Sequence, residues 1–282
     1  MDGKAIIDAV RVDEGHEAGL ASRDPADTLD IADRKAGKAT VEKLGLVLDE
    51  LHDRLWAEAT RSVLLVLQGM DASGKDGAIR NVLSGLNPQG CTVVGFKAPS
   101  DVEKAHDYLW RVHGKCPERG HLGVFNRSHY EDVLAARFAG HATVEQCRLR
   151  YRHLREFERM LTEEGTTLVK VYLHISKEEQ RDRLQTRVDD PAKNWKFSDG
   201  DVKERRAWSD YQDAYEAAVQ ATATKHAPWY VVPANHKWYA HLVIASTIIE
   251  ALEDLDLAFP ETEKGKRKEL QKIRDALLAE KD

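Results

Sequence analysis

Cysteine is scarce: Cys91, Cys116 and Cys147 are the only three in 282 residues. They stand far apart, with no Cys-x-x-Cys pair and no zinc spacing. That excludes a disulfide framework and suits a reducing cytoplasm. Long apolar runs are also missing. The cleanest are residues 63–67 and 242–249, the second interrupted by Ser246 and Thr247, whereas a membrane helix needs about 20 residues. The opening Met-Asp-Gly-Lys turns acidic and does not read as a signal peptide. The 12 histidines contain no His-Glu-x-x-His pattern. Positive charge is not in excess either. The net charge of −6 argues against a general nucleic-acid binder. Residues 1–30 alone hold eight Asp/Glu and three Lys/Arg, so the remainder is near −1. An anionic ligand therefore needs a local basic site.

What is present is ordinary for a soluble globular chain: 42% hydrophobic and 32% charged residues. Residues 1–30 lack apolar periodicity and read as a flexible acidic arm. A helix is expected from Ile31, with Val41, Leu44, Leu48, Leu51 and Leu55 on one stripe. Strands are expected at 63–67, 91–96, 121–125, 167–173 and 229–233. Helices should fill the intervals: from Lys75, from an Asp101 cap to His113, 144–164, from a Ser176 cap towards Val188, 201–224 and 236–255. A charged terminal helix at 264–281 carries Leu270, Ile273 and Leu277 on one face. Strands alternating with helices mean a parallel sheet covered on both faces. The chain divides into the arm, one α/β domain at 31–258 with an insertion near 187–205, and a terminal helix within 259–282.

The strongest chemical signal is Gly69-Met-Asp-Ala-Ser-Gly-Lys75. It matches the glycine-x4-glycine-lysine loop, whose backbone N–H groups cradle phosphates while the lysine neutralises them. It follows an apolar strand and opens a helix, as that mechanism requires. Asp76 replaces the usual magnesium-binding Ser or Thr. Asp71, inside the loop, is the better candidate to bridge a hard cation to phosphate oxygens. Asp76 then serves as a helix N-terminal charge.

The expected strand at 121–125 runs into Asn126-Arg-Ser-His-Tyr-Glu-Asp132. Arg127 is placed to clamp a phosphate bidentately. Glu131 and Asp132 supply carboxylates. His129 reads either as a group orienting a carboxylate or as a structural hydrogen bond.

The wording of these two blocks, 69–77 and 125–134, resembles the second family of polyphosphate kinases. Further matches run in order: Asn87-Pro-Gln-Gly90, His106-Asp-Tyr-Leu-Trp-Arg111, Leu173-His-Ile-Ser-Lys177, 190–198 and Ala227-Pro-Trp229. The resemblance implies a three-layer, thymidylate-kinase-like phosphate-loop fold with a parallel central sheet and a helical lid. It implies Mg2+-dependent, reversible transfer of the terminal phosphoryl group of inorganic polyphosphate to AMP and ADP, in a dimer or tetramer. By the resemblance Asp71, Lys75, Arg127 and Asp132 are catalytic, and Asp71 with Asp132, or with its neighbour Glu131, holds the metal. The phosphate- and nucleotide-contacting set is Gly69, Met70, Ala72, Ser73, Gly74, Asp76, Gly77, Asn126, Ser128, Glu131, Arg183, Arg187, Lys193 and Lys196.

Arg183 and Arg187 share a helix face and, with Lys193 and Lys196, suit a lid that closes over spread phosphate charge. Arg148, Arg152, Arg155 and Arg159 line another face. That stripe reads as a rail for a polyanion or, more simply, as a solvated face. Trp208, Trp229 and Trp238 read as core or interface. The rival readings are an ATP-dependent nucleotide kinase and a non-enzymatic nucleotide-binding module. Donor preference separates the first from polyphosphate transfer. A base-reading Asn-Lys-x-Asp motif, which would suggest a GTPase, is absent.

Overall fold

Ser62–Gln68 is buried along its whole length. A strand apolar on both faces belongs at the centre of a parallel sheet. The computed structural model, which describes residues 3–29, 31, 34–138, 140, 142–262 and 264–280, places it there. In chain order the elements are α1 (Gly3–Val10), β1 (Arg11–Val12), α2 (Arg34–Glu58), β2 (Ser62–Gln68), α3 (Lys75–Val82) and β3 (Cys91–Gly95). Then come α4 (Asp101–Lys104), α5 (Trp110–His113), β4 (Leu122–Asn126), α6 (Ala135–Phe138), α7 (Val144–Glu163) and β5 (Thr166–His174). The rest are α8 (Lys177–Asp189), α9 (Asp199–Arg206), α10 (Trp208–Thr222), β6 (Trp229–Pro233), α11 (Lys237–Glu253) and α12 (Lys264–Ala279).

The strand order is β1-β6-β5-β2-β4-β3. Every pairing is parallel except β1 with β6. Alternate residues of β2 feed opposite cores. Val63, Leu65 and Leu67 join the α1, α2, α3 and α11 side, while Leu64 and Val66 join the α7 and α10 side. This is the expected three-layer α/β architecture. Chain order reverses at β2, with β4 on one side and β5 on the other, so a ligand crevice belongs at the carboxyl ends of these strands.

Helix starts obey local chemistry. Ser176 Oγ accepts from the Glu179 N–H at 3.1 Å, and Thr143 and Gln146 form a reciprocal capping box at the head of α7. Trp229 is buried, and Trp208 and Trp238 pack against the core, as expected.

Three expectations need correction. Residues 3–12 are not an extended arm: α1 buries Ile6, Ile7 and Val10, and β1 pairs with β6. Eight residues with three apolar contacts are too short to register as periodic. Met1, Asp2 and Asp30 lie outside the described residues. Second, Ser100, not Asp101, is the cap, and the helix it starts ends at Lys104 before α5 begins at Trp110. Third, the helix expected at 201–224 is two helices, broken at Ala207. They serve different partners: α10 buries Ala214, Tyr215, Ala218 and Val219 in the core, whereas α9 reaches the phosphate loop.

Candidate active site

The β2–β4 register sets Leu67 opposite Asn126. The loop after β2 and the turn after β4 therefore leave the sheet side by side, and the Arg127 N–H donates to Leu67 O at 3.1 Å. Two glycines are dictated by geometry. A Cβ at Gly69 would lie 2.7 Å from Ser73 Oγ and 2.9 Å from Leu173 O. Gly74 has φ 111°, open to glycine and strained for other residues. Arg127 and Ala72 adopt left-handed backbone without being glycine, at φ 62° and 64°. Such strain, about 1–3 kcal/mol per residue, gathers at functional sites.

Lys75 turns back onto its own loop. Its ammonium donates to Gly69 O at 2.5 Å, Met70 O at 3.2 Å and Ser73 Oγ at 3.3 Å. Burial, reinforced by the Arg127 charge, lowers its pKa. Arg127 donates to Asp71 Oδ1 at 2.5 Å and to Glu131 Oε2 at 3.4 Å. Burial opposes ionisation of Asp71, but Arg127 and Lys75 outweigh it and hold its pKa low. Burial raises the pKa of Glu131 despite the same two cations.

A cleft of about 1560 Å³ opens here. It is lined by the loop, the end of β3, the segment 95–111, the turn after β4 and the α8–α9 region. Of the expected residues, Asp71 to Gly77, Asn126, Arg127, Glu131, Asp132, Arg183, Arg187, Lys193 and Lys196 all face it. Gly69, Met70 and Ser128 do not line it. Met70 and Ser128 are buried, and Ser128 Oγ accepts from the Tyr130 N–H at 3.2 Å. The two carboxylates of the second motif part company. Glu131 joins Arg127 and Asp71, whereas Asp132 sits by Arg111, whose Nη2 is 3.7 Å from Oδ2.

Arg183 is anchored by hydrogen bonds to the loop and to the segment after β6. Nη1 donates to Ala72 O at 3.0 Å and Ser73 O at 2.7 Å, and Nη2 to Ala234 O at 2.5 Å and Asn235 O at 3.1 Å. Nε donates to Glu179 Oε1 at 2.6 Å. These bonds engage all three guanidinium nitrogens, leaving the group bracing the loop from behind. Arg187 pairs with Asp201 at 3.4 Å, Lys193 with Asp190 at 2.6 Å and Lys196 with Asp76 at 3.3 Å. Asp76 also accepts from Asn126 Nδ2 at 2.8 Å.

The sequence reading missed Glu204, whose Oε1 accepts from the Asp71 N–H at 2.8 Å. Burial and the Asp71 charge push its pKa up to about 8. It also missed Arg150, which donates to Asp132 O at 2.5 Å and lies over the Tyr108 ring. No motif marks either residue; both arrive from distant helices. The arginine stripe on α7 lies outside the cleft. Arg155 donates to Ala221 O at 2.9 Å, and Arg159 pairs with Glu156 and Glu163. No helix among the described residues is long and apolar enough to cross a membrane.

A parallel sheet, a lysine-ended phosphate loop at its switch point and a basic helical cover define a phosphate-loop kinase. Comparison with known proteins narrows this class. The profile of the polyphosphate kinase 2 (PPK2) family matches residues 31–260, and the chain belongs to that family. It is 50% identical over 248 residues to the AMP/ADP-polyphosphate phosphotransferase of Meiothermus ruber, covering 87% of this chain and 92% of the relative. It is 47% identical over 245 residues to the ADP-polyphosphate phosphotransferase of Rhodopseudomonas palustris, covering 82% and 84%. The crystal structure of polyphosphate kinase 2 from Arthrobacter aurescens TC1 superimposes with a TM-score of 0.89 at 43% identity, over 94% of this chain and 95% of that one.

Proposed function

We propose that this chain transfers the terminal phosphoryl group of inorganic polyphosphate to AMP and ADP. The observation that carries the reading is a pair of basic regions in one cleft that also holds Lys75. Arg111 and Arg150 flank Asp132. Lys237, Arg187 and Lys193 form a second basic group lining the same cleft. Two anions meeting at the loop need two such regions. The polyphosphate names of the 50% and 47% identical relatives support the donor and the acceptors.

An acceptor phosphate oxygen attacks the terminal phosphorus of the donor. The bridging P–O bond breaks, and a polyphosphate one unit shorter leaves with the electron pair. The attacking oxygen is already anionic, so no strong base is required. Alignment and charge neutralisation do most of the work. Lys75 releases its loop acceptors to take phosphate oxygens, and Arg127 neutralises charge on the transferring group. Arg187, Lys193 and Lys196 close from the lid and expel water.

The residues fit a magnesium ion. Asp132 Oδ2 is buried without a hydrogen-bond partner, and Asp71 offers hard oxygen beside the loop. Magnesium usually takes only one or two carboxylates and completes its shell with phosphate and water. Asp71 and Asp132 both line the cleft and are the carboxylates that would hold it, and it would supply charge neutralisation there. The same reading puts the protein in the cytoplasm as a dimer or tetramer. Exposed Leu270, Ile273 and Leu277 along α12 support self-association.

The test is donor choice. Purified protein with magnesium and AMP receives either polyphosphate or ATP, and products are separated by chromatography. ADP and then ATP are expected from polyphosphate. Product from ATP alone would replace this reading with an ATP-dependent nucleotide kinase.

A further inference from the structure

Beneath the turn after β4 lies a buried ionic group that the transfer reaction does not touch. Lys170 on β5 points into the same core as its neighbours Leu168 and Tyr172. Both Lys170 and Glu158, from α7, are fully buried. The Lys170 ammonium donates to Glu158 Oε2 at 2.7 Å, Thr222 O at 2.8 Å and the Tyr130 hydroxyl at 3.2 Å. Its three protons are thus committed to α7, α10 and the turn. Glu158 Oε1 accepts from the Tyr130 hydroxyl at 2.7 Å and lies 3.1 Å from His129 Nε2. Trp229 Nε1, from β6, donates to Thr222 Oγ1 at 2.9 Å and closes the group.

The turn itself is short. It is one stretch of 3-10 helix at His129–Asp132, a geometry with poorer hydrogen bonds than an α-helix. Its residues divide by direction. His129 and Tyr130 are buried, and both engage Glu158. Glu131 and Asp132, the next two, line the cleft. Arg127 precedes the turn in strained left-handed backbone. A slip of one residue would drive the carboxylates inward and the aromatic rings outward. An apolar filling of equal volume would pack this pocket as firmly, but without fixed direction. Hydrogen bonds from a committed ammonium and carboxylate supply direction.

We propose that Glu158 and Lys170 are positioning residues for phosphoryl transfer. They hold His129 and Tyr130 from below, so that Arg127, Glu131 and Asp132 present their charges to the cleft. The proposal rests on reading that cleft as the transfer site.

The experiment measures kcat and KM for polyphosphate-driven ADP formation from AMP with magnesium. The variants are Glu158→Gln, Lys170→Met and the double variant Glu158→Leu with Lys170→Met. Each is assayed at a temperature where circular dichroism shows it folded. Glu158→Gln should lower kcat by about 10-fold or more with KM for polyphosphate changed less than about 3-fold, because misplacement costs rate more than binding. The double variant should melt near the wild type, having no unpaired charge, and still carry the kcat deficit. Adding Glu158→Gln to Glu131→Gln should cost clearly less than the product of the two single losses, because part of the Glu158 effect passes through Glu131.

A folded Glu158→Gln or double variant with kcat within about 2-fold of wild type overturns the proposal, as do multiplicative losses in the Glu131 cycle. Failure of all three variants to fold at any temperature would make the pair a stability element and overturn it too. A wild type that makes no product from polyphosphate defeats the functional reading instead, so the two failures are distinct.

Discussion

Replacing Arg183 by methionine separates bracing of the loop from contact with phosphate. The guanidinium is 8% exposed and donates to four backbone carbonyls and to Glu179. Methionine fills similar volume but leaves the carbonyls of Ala72, Ser73, Ala234 and Asn235 without this donor. Charged hydrogen bonds contribute about 1.5–3 kcal/mol each, but their deletions do not add. Relief from burying the guanidinium offsets part of the loss, since burial already lowers its pKa. Each buried carbonyl left without its donor costs about 1–3 kcal/mol, so a net loss of about 3–5 kcal/mol is expected. Unfolding entropy near 2.1 cal/mol/K per residue gives about 0.6 kcal/mol/K for 282 residues. The melting temperature should therefore fall by about 5–8 °C, with kcat falling because Ala72 and Ser73 are released. Arg183→Lys, with three donors and no planar fork, should recover roughly half the stability. The assay pairs thermal denaturation with polyphosphate kinetics. An unchanged melting temperature with a raised KM for polyphosphate would show a ligand contact and refute the bracing argument.

Lys75→Ala should lower turnover by at least about 1000-fold while circular dichroism stays native, since the loop lysine supplies transition-state charge stabilisation. Asp71→Asn should also abolish turnover without unfolding the chain, and a near-normal rate in either variant would remove the loop from the mechanism. Chelation of magnesium by excess EDTA should stop product formation, with recovery on adding the ion back. Lys196→Ala removes the half-exposed contact to Asp76 and should change stability by less than about 1 kcal/mol while raising KM for polyphosphate; an unchanged KM would exclude Lys196 from donor binding. Burial, with Lys237 and Arg183, pushes the His241 pKa down to about 4. Between that value and its ordinary 6.5 the unfolded chain binds the extra proton, so stability is lost as pH falls through this window. The slope is at most about 1.4 kcal/mol per pH unit, reduced by solvent screening. His241→Gln should flatten the acid side of a melting-temperature profile, and parallel profiles would contradict the assignment.

The four inner strands β2, β4, β5 and β6 were legible because they are mainly apolar runs buried between the covering layers. Residues 229–233 were bounded to the residue, and β2, β4 and β5 within one residue at each end. The loop was legible because its chemistry is local: two glycines, one lysine and a strand before them. What escaped depends on distance. Glu204 reaches the Asp71 N–H across 133 positions, and Arg150 approaches Asp132 from α7. The contacts of Arg183 with the loop carbonyls also escaped, because its spacing from Arg187 gives the face they share, not what lies against it. The break at Ala207 follows from two helices having different partners, which helical periodicity does not encode.

The family profile begins at residue 31, but the folding unit begins earlier. Val10 and Val12 bury apolar surface on opposite sides of the sheet. The Gly19 and Leu20 amides donate to the Glu216 carboxylate at 2.8 and 2.7 Å, and the Asn235 N–H donates to Pro25 O at 3.0 Å. A chain cut at the family boundary would keep every signature residue and lose the strand that covers β6. Its bare backbone edge is a template for a second chain. An expression fragment trimmed to the shared region is therefore a candidate for aggregation.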